Sequence, residues 1–265
     1  MNHVVRDRVL LTALYLTLFA TLGTVSLAQS KAPPQPQWLS ISVVHVKPEM
    51  LTEYQNFQKN EAIPALQKGG VKWRNAWETA VFGEAFQYVF VTTIDSLAQL
   101  DGESPIDKAL GQEGARAYRA RARQLIASVQ TFGDLTRPDL SYEREMTGPP
   151  KLAVVSILHV APGRNMEFES LVKNEVLPVM KQAGVAGYWV EQSIFGGDGN
   201  AYVSLVLHDS FTEIGKWSPF IRVLGQEGAN KLAQKFTGII THIERSIARY
   251  NAELSFSVPA QPKAK

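Results

Sequence analysis

Apolar positions along this chain fall into strand-like and helix-like stretches whose order occurs twice. Residues 39–46 are rich in β-branched side chains and Pro48 closes the run, which predicts a strand. Over 49–68, Leu51, Tyr54, Phe57, Ala62 and Ala65 recur near every 3.6 positions, the spacing of a helix with one apolar stripe. Pro64 lies inside that stripe and cannot donate to the carbonyl of Asn60, so a kink is expected there. Gly69-Gly70 ends the helix. Residues 71–82 alternate and read as a strand, and 86–94, after Gly83, as its hairpin partner. Ser96 is expected to cap a short helix ending near 101. Ser104-Pro105 opens a longer helix to about 124, with proline at the favoured first position. A strand over 126–135 and an extended stretch over 137–142 complete a β-α-β-β-α-β order.

The same order returns 114 residues later, as in 159 − 45 for the matched histidines His45 and His159. Lys59-Asn60-Glu61 returns as Lys173-Asn174-Glu175, each followed by a proline, Pro64 and Pro178. The segment from Leu110 to Ala115 (Leu-Gly-Gln-Glu-Gly-Ala) returns letter for letter from Leu224 to Ala229. Strands are expected near 152–160, 185–195, 201–207 and 239–250, and helices near 165–182, 211–216 and 219–236. A repeat of this size reads as two copies of one unit. The expected fold is therefore α+β, with two tandem ferredoxin-like repeats over 38–142 and 152–256. A linker spans 143–151, a Pro/Gln-rich stretch 29–37 and a disordered tail 257–265. A four-stranded sheet covered by helices on one face must bury the other, and the second copy is the obvious cover.

Targeting and charge narrow the setting. Arg6 and Arg8 precede an uncharged apolar run over 9–25, and Ser26-Leu27-Ala28 offers small residues for cleavage. Residues 1–28 thus read as a secretory signal, and the mature chain as periplasmic or secreted and free of the membrane. The alternative, a retained anchor, is short for spanning a bilayer. Cys is absent, which removes disulfides, thiolate metal sites and a cysteine nucleophile. A formal net charge of +2 offers no concentrated basic face for nucleic acid. Arg116, Arg119, Arg121 and Arg123 scatter around a helix and read as a solvated face.

With its duplicated β-α-β-β-α-β order, divided second helix and Asn-Glu-x-x-Pro segment, the chain resembles the dimeric α/β-barrel superfamily. Within it the chain is most similar to the NIPSNAP-like branch. That resemblance covers nearly all of 38–256. It implies two sheets packed face to face around a cavity, here as an intramolecular dimeric α/β barrel, which can in turn form a homodimer. It leaves the activity open, because the superfamily includes monooxygenases, haem proteins, isomerases and proteins of no known activity.

Candidate site residues follow from which face looks inward. Trp73, Asn75, Trp77 and Thr79 share one strand face, with Gly187, Trp189, Glu191 and Ser193 at the equivalent positions. Aromatic side chains mixed with a few polar groups suit a small-molecule pocket, although tryptophans equally fill a barrel core. Tyr88 and Tyr202 are matched hairpin-strand tyrosines, expected in the core with a hydroxyl at the edge and counted with the ligand-binding candidates. His45 and His159 end the first strand of each repeat, where imidazole can move protons or bind metal. His242 and Glu244 share a strand face in the second copy alone and are candidates for acid/base work. For all four the plain alternative is a side chain retained for packing. Gly111 and Gly114 are expected to permit close helix packing, because the segment lacks the ending of a phosphate loop.

The expected function is binding of a small apolar or aromatic molecule between the repeats, with acid/base or oxygenase chemistry and no cofactor. A haem- or metal-dependent oxidoreductase is the first alternative, weakened because no candidate histidine falls on a helix. A non-catalytic assembly protein with a solid barrel core is the second.

Overall fold

The computed structural model of the protein describes residues 34–146, 148–216 and 218–258. The signal read over 1–28, the start of the Pro/Gln-rich stretch and the end of the tail lie outside them. Eight antiparallel strands close into a barrel in the order β2-β3-β1-β4-β7-β8-β6-β9, with β9 returning to β2. They are β1 (Trp38–Val46), β2 (Trp73–Thr79), β3 (Gln87–Ile94), β4 (Ile126–Thr136), β6 (Leu152–Val160), β7 (Gly187–Phe195), β8 (Ala201–His208) and β9 (Ile240–Tyr250). Two short strands, β5 (Tyr142–Glu143) and β10 (Phe256–Ser257), extend β7 and β2.

The barrel closes through two seams in matching register. At one, Thr136, Leu135 and Asp134 pair with Glu191, Gln192 and Ser193. At the other, Tyr250, Arg249 and Ala248 pair with Trp77, Glu78 and Thr79. Every partner is displaced by the same 114 residues, as 250 − 136 and 191 − 77 show. Bulges fall at equivalent places too, between His45 and Val46 and between His159 and Val160.

Helices cover the outer face of each sheet. The first half carries α1 (Leu51–Phe57), α2 (Ile63–Lys68) and α3 (Pro105–Leu125). The second carries α4 (Asn165–Leu171), α5 (Leu177–Gln182), α6 (Phe211–Ile214) and α7 (Pro219–Lys235). The kink expected at Pro64 is replaced by a π-helical turn over Gln58–Ala62, matched by Val172–Val176 before Pro178. The widened turn carries the chain into each proline with helical backbone on both sides, so the missing N–H is absorbed without a break. Its polar side chains make surface pairs: Lys59 with Glu253, Glu61 with Arg121, and Glu175 with Lys235.

Gly111 (φ 67°, ψ 176°) and Gly225 (φ 69°, ψ 173°) break α3 and α7 at equivalent points. That conformation is open essentially to glycine alone. A Cβ at either position would touch nothing within 4 Å, so their role is this bend and not the close packing expected from the motif. At Ser96 the anticipated cap is also missing, whereas Ser104 and Ser210 do accept from backbone N–H groups.

Three apolar clusters hold the structure. Val44, Tyr54, Phe57, Tyr88, Phe90 and Leu254 pack beneath the first half's helices, and Phe168, Val172, Met180, Tyr188, Tyr202 and Leu140 beneath the second's. Trp77, Ala153, Ala186 and Leu207, with Val89, Val155, Trp189 and Tyr250, fill one end of the barrel interior. Leu140 and Leu254 again differ by 114, so the stretch after each last strand crosses over to plug the layer beneath the other half's helices. Among the described residues no helix is long and apolar enough to cross a membrane.

Candidate functional site

Strand alternation sends each candidate to a definite face. Asn75, Trp77, Trp189 and Glu191 point into the barrel, as anticipated. Asn75, Trp77, Trp189 and Tyr250 line a pocket of about 570 Å³ at one mouth of the barrel, with residues 143–146 and 148–150 across it. The Trp77 and Tyr250 rings meet edge to face at 5.3 Å, and the Trp189 indole N–H donates to Glu143 at 3.3 Å. Trp73 begins β2 opposite Ser257 and lines neither this pocket nor the larger one described below.

Beyond the tryptophans sit two carboxyl groups. Asp134 is 2% exposed and accepts a 3.2 Å hydrogen bond from the Ser193 hydroxyl. Burial pushes its pKa up to about 6, against the pull of Ser193. Glu191 is pushed up to about 8, first by burial and then by the neighbouring Asp134 charge. Protein surrounds Glu191 on every side, yet the residue is only half-buried. Val43, Val89, Val155, Ile157 and Val203, also inward-facing, are half-buried in the same way. These inward-facing side chains keep partial accessibility, so the barrel interior is incompletely filled.

The histidine candidates gather at the end of β1 and β6. His159 Nδ1 lies 2.9 Å from Asp198 and its Nε2 3.3 Å from Glu244, and its ring is 5.6 Å from that of His242. The hydrogen bond to Asp198 leads in raising the His159 pKa, with Glu244 adding to it. His242 stands 3.9 Å from Glu244 and is largely exposed. The anticipated His242/Glu244 pair is therefore one part of a cluster centred on His159. His45 contacts Glu84 and lies 3.2 Å from the Ser128 hydroxyl, well apart from that cluster in the fold. Among the described residues no group of three or more His, Asp or Glu side chains is placed to hold a metal ion. Tyr88 and Tyr202 turn away from the barrel, under the helices: Tyr88 accepts from Gln55 at 3.0 Å and Tyr202 donates to Glu169 at 2.6 Å.

The larger cavity lies on a face that the sequence reading did not consider. It measures about 880 Å³ and sits on the outer, helix-covered face of the second half's sheet. Its floor is Val154, Ser156, Leu158, Ser204, Val206 and His208, and its roof includes Phe168, Met180, Phe220 and Phe236. The first half explains the opening. There Phe90 stands where the second half has Ser204, and it packs beneath the Arg74 guanidinium at 4.5 Å. Arg74 fills the rest of that layer, donating to the Leu254 carbonyl at 2.7 and 3.1 Å and to Gln58 at 3.0 Å. In the second half Tyr188 replaces Arg74 and a serine replaces the phenylalanine, and the layer stays open.

His208 points from the strands into this cavity, at the position of Ile94 in the first half, and His242 also lines it. Burial holds its pKa below the usual value, while Glu213 and Arg222 pull in opposite directions. It is thus unprotonated at neutral pH. Arg222, Arg245 and Lys216 line the cavity as well, with Glu213 as its carboxylate. His208, Ser204 and Asp134 were not singled out from sequence. The available signal was a mismatch between the two copies at equivalent positions, polar in one and apolar in the other.

Comparison with solved structures places the fold. An anthrone oxidase-like protein superposes with a TM-score of 0.54 at 10% identity, over 86% of this chain and 96% of its own. A protein assigned as a monooxygenase from Lactobacillus acidophilus gives 0.54 at 9% identity, over 84% and 97%. A chlorite dismutase variant from Candidatus Nitrospira defluvii gives 0.51 at 7% identity, over 83% and 94%. These are dimeric α/β-barrel proteins, and the chain shares their α+β fold with a closed antiparallel barrel. Identities this low carry the fold alone. No protein-family model matches the sequence, and no curated relative matches it either.

Proposed function

We propose that the protein binds a small, largely apolar or aromatic molecule in the 880 Å³ cavity beneath the second half's helices and promotes its oxidation by dioxygen, which takes up the electrons, without an organic cofactor. The observation that carries this reading is Ser204 in place of the phenylalanine that closes the equivalent layer. A mostly apolar enclosure with few polar groups is the common form of a small-molecule site. Within it the unprotonated His208 is the group suited to accept a proton from the bound molecule, with Ser204 and Ser156 able to orient it. Anthrone oxidase-like and monooxygenase-assigned structures of the same fold agree with such chemistry. We place the protein outside the cytoplasm on the strength of the basic and apolar start of the sequence, and read the 114-residue repeat as a tandem duplication of NIPSNAP-like type.

Thermal unfolding in the presence of anthrone tests the reading, with oxygen uptake followed in the same samples. A ligand at 100 times its Kd should add about 2.7 kcal/mol to stability. Ser204→Phe should remove both the stabilisation and the uptake while leaving the protein folded. Persistence of either in that variant refutes the site.

Haem is the second reading, favoured by one observation: a neutral imidazole faces a cavity rimmed by Arg222, Arg245 and Lys216. His208 would hold the iron and the cations would meet the propionates; bound haem would supply the redox chemistry. A Soret band lost in His208→Ala distinguishes the two. A solid-core assembly protein offers no account of the cavity.

A further inference from the structure

The pocket at the barrel mouth differs in kind from the cavity under the helices. Its walls are Trp77, Trp189 and Tyr250, and its polar groups are Asn75 and the carboxylates of Glu143 and Glu145, with Arg144 at the rim. The barrel behind it is one-sided in charge. Inward-facing positions on the eight strands carry Asp134, Glu191 and Glu244, but no Lys or Arg. Of these, Glu244 has His159 as a partner and Asp134 has Ser193, whereas Glu191 has no side-chain hydrogen bond among the described residues. A carboxyl group buried without a counter-charge costs several kcal/mol if ionised.

We infer that this mouth binds an organic cation of the quaternary or tertiary ammonium class, held against the aromatic wall of Trp77, Trp189 and Tyr250 and by the carboxylates of Glu143 and Glu145. Aromatic walls attract a cation through the ring quadrupole and do so best when its charge is spread over methyl groups. A primary ammonium carries three N–H donors that need acceptors, and the mouth offers few. A bare metal ion needs a coordinating set, which is absent among the described residues. The Trp189 indole N–H donates to Glu143, which ties the ring to the pocket wall and places a carboxylate beside it.

Titration of the folded protein with choline, followed by tryptophan fluorescence and calorimetry, provides the test. Its neutral isostere, 3,3-dimethylbutan-1-ol, separates charge from shape. Choline should bind saturably and the isostere at least tenfold more weakly. Glu143→Gln alters an exposed side chain and should weaken choline several-fold; Trp189→Leu should weaken it about tenfold. Ser204→Phe, in the other cavity, should leave choline binding intact, so failure of either site does not touch the other. Equal affinity for the neutral isostere, no choline binding by the folded protein, or binding that survives both Glu143→Gln and Trp189→Leu would overturn the inference.

Discussion

Replacing Glu191 by glutamine should stabilise the protein, and the gain should depend steeply on pH. In the unfolded chain this carboxyl group titrates near its ordinary value of 4.5, whereas in the barrel it is pushed up to about 8. Below pH 4.5 both states are protonated and the residue adds no penalty. As pH rises toward 8 the folded state holds a proton that the unfolded state has released, so stability falls throughout that window and levels off above it. At 1.36 kcal/mol per pH unit the full gap corresponds to about 5 kcal/mol. Water reaching the incompletely filled interior screens part of the charge, so about 2–4 kcal/mol is the expected cost at pH 9. Glutamine keeps the shape and cannot ionise. Thermal unfolding of wild type and Glu191→Gln should therefore nearly coincide at pH 5. At pH 9 the variant should melt higher by roughly 5–15 °C, taking about 2–4 °C per kcal/mol for a chain of this size. Asp134 remains in both proteins, and its repulsion of an ionised Glu191 is part of the cost that the variant removes. A gap of the same size at pH 5 and pH 9, or a variant less stable at pH 9, would refute a buried, protonated Glu191.

Two further outcomes follow from the same geometry. Gly111→Ala and Gly225→Ala each force a side chain into a conformation reserved for glycine, and each should cost about 1–3 kcal/mol in chemical denaturation; an unchanged midpoint would show that the helix break relaxes freely. Asp198→Asn removes the leading cause of the raised His159 pKa, so the imidazole should titrate closer to 6.5 by NMR. The pair's contribution to stability is present below that value and fades as pH rises through the raised one. Variant and wild type should accordingly converge in melting temperature toward high pH, and divergence there would contradict the assignment.

Much of the fold was legible because the repeat doubled every signal. The strand over 152–160, the helix beginning at Pro219 and the short helical turn near 97–101 all fall where the spacing put them. Local rules failed where tertiary structure supplied another solution. Pro64 breaks the hydrogen-bond ladder of an α-helix, but a π turn ahead of it restores the path, and nothing in the residue pattern announces that turn. The inward direction of Asn75, Trp77, Trp189 and Glu191 followed from period-two alternation. Tyr88 and Tyr202 lie one residue out of that phase and duly point under the helices. The larger cavity was hidden because it arises from a difference, Ser204 against Phe90, whose effect depends on which layer those side chains enter. Attention to the matched histidines His45 and His159 also drew the eye from His208, which has no histidine counterpart in the first half.

The matching registers of the two seams have a consequence for how this barrel can specialise. In a barrel built from two identical chains, every substitution enters twice, once at each symmetry-related place. Here a single polypeptide supplies both halves, so the edges that meet need not be copies of one another. One seam carries an aromatic pair, Trp77 and Tyr250, and the other a threonine and a glutamate, Thr136 and Glu191, at the same backbone positions. Likewise one sheet has a filled outer layer and the other an open one. Covalent joining thus frees each half from its twin: a chamber can be hollowed on one side while the opposite side keeps the packing that holds the whole together.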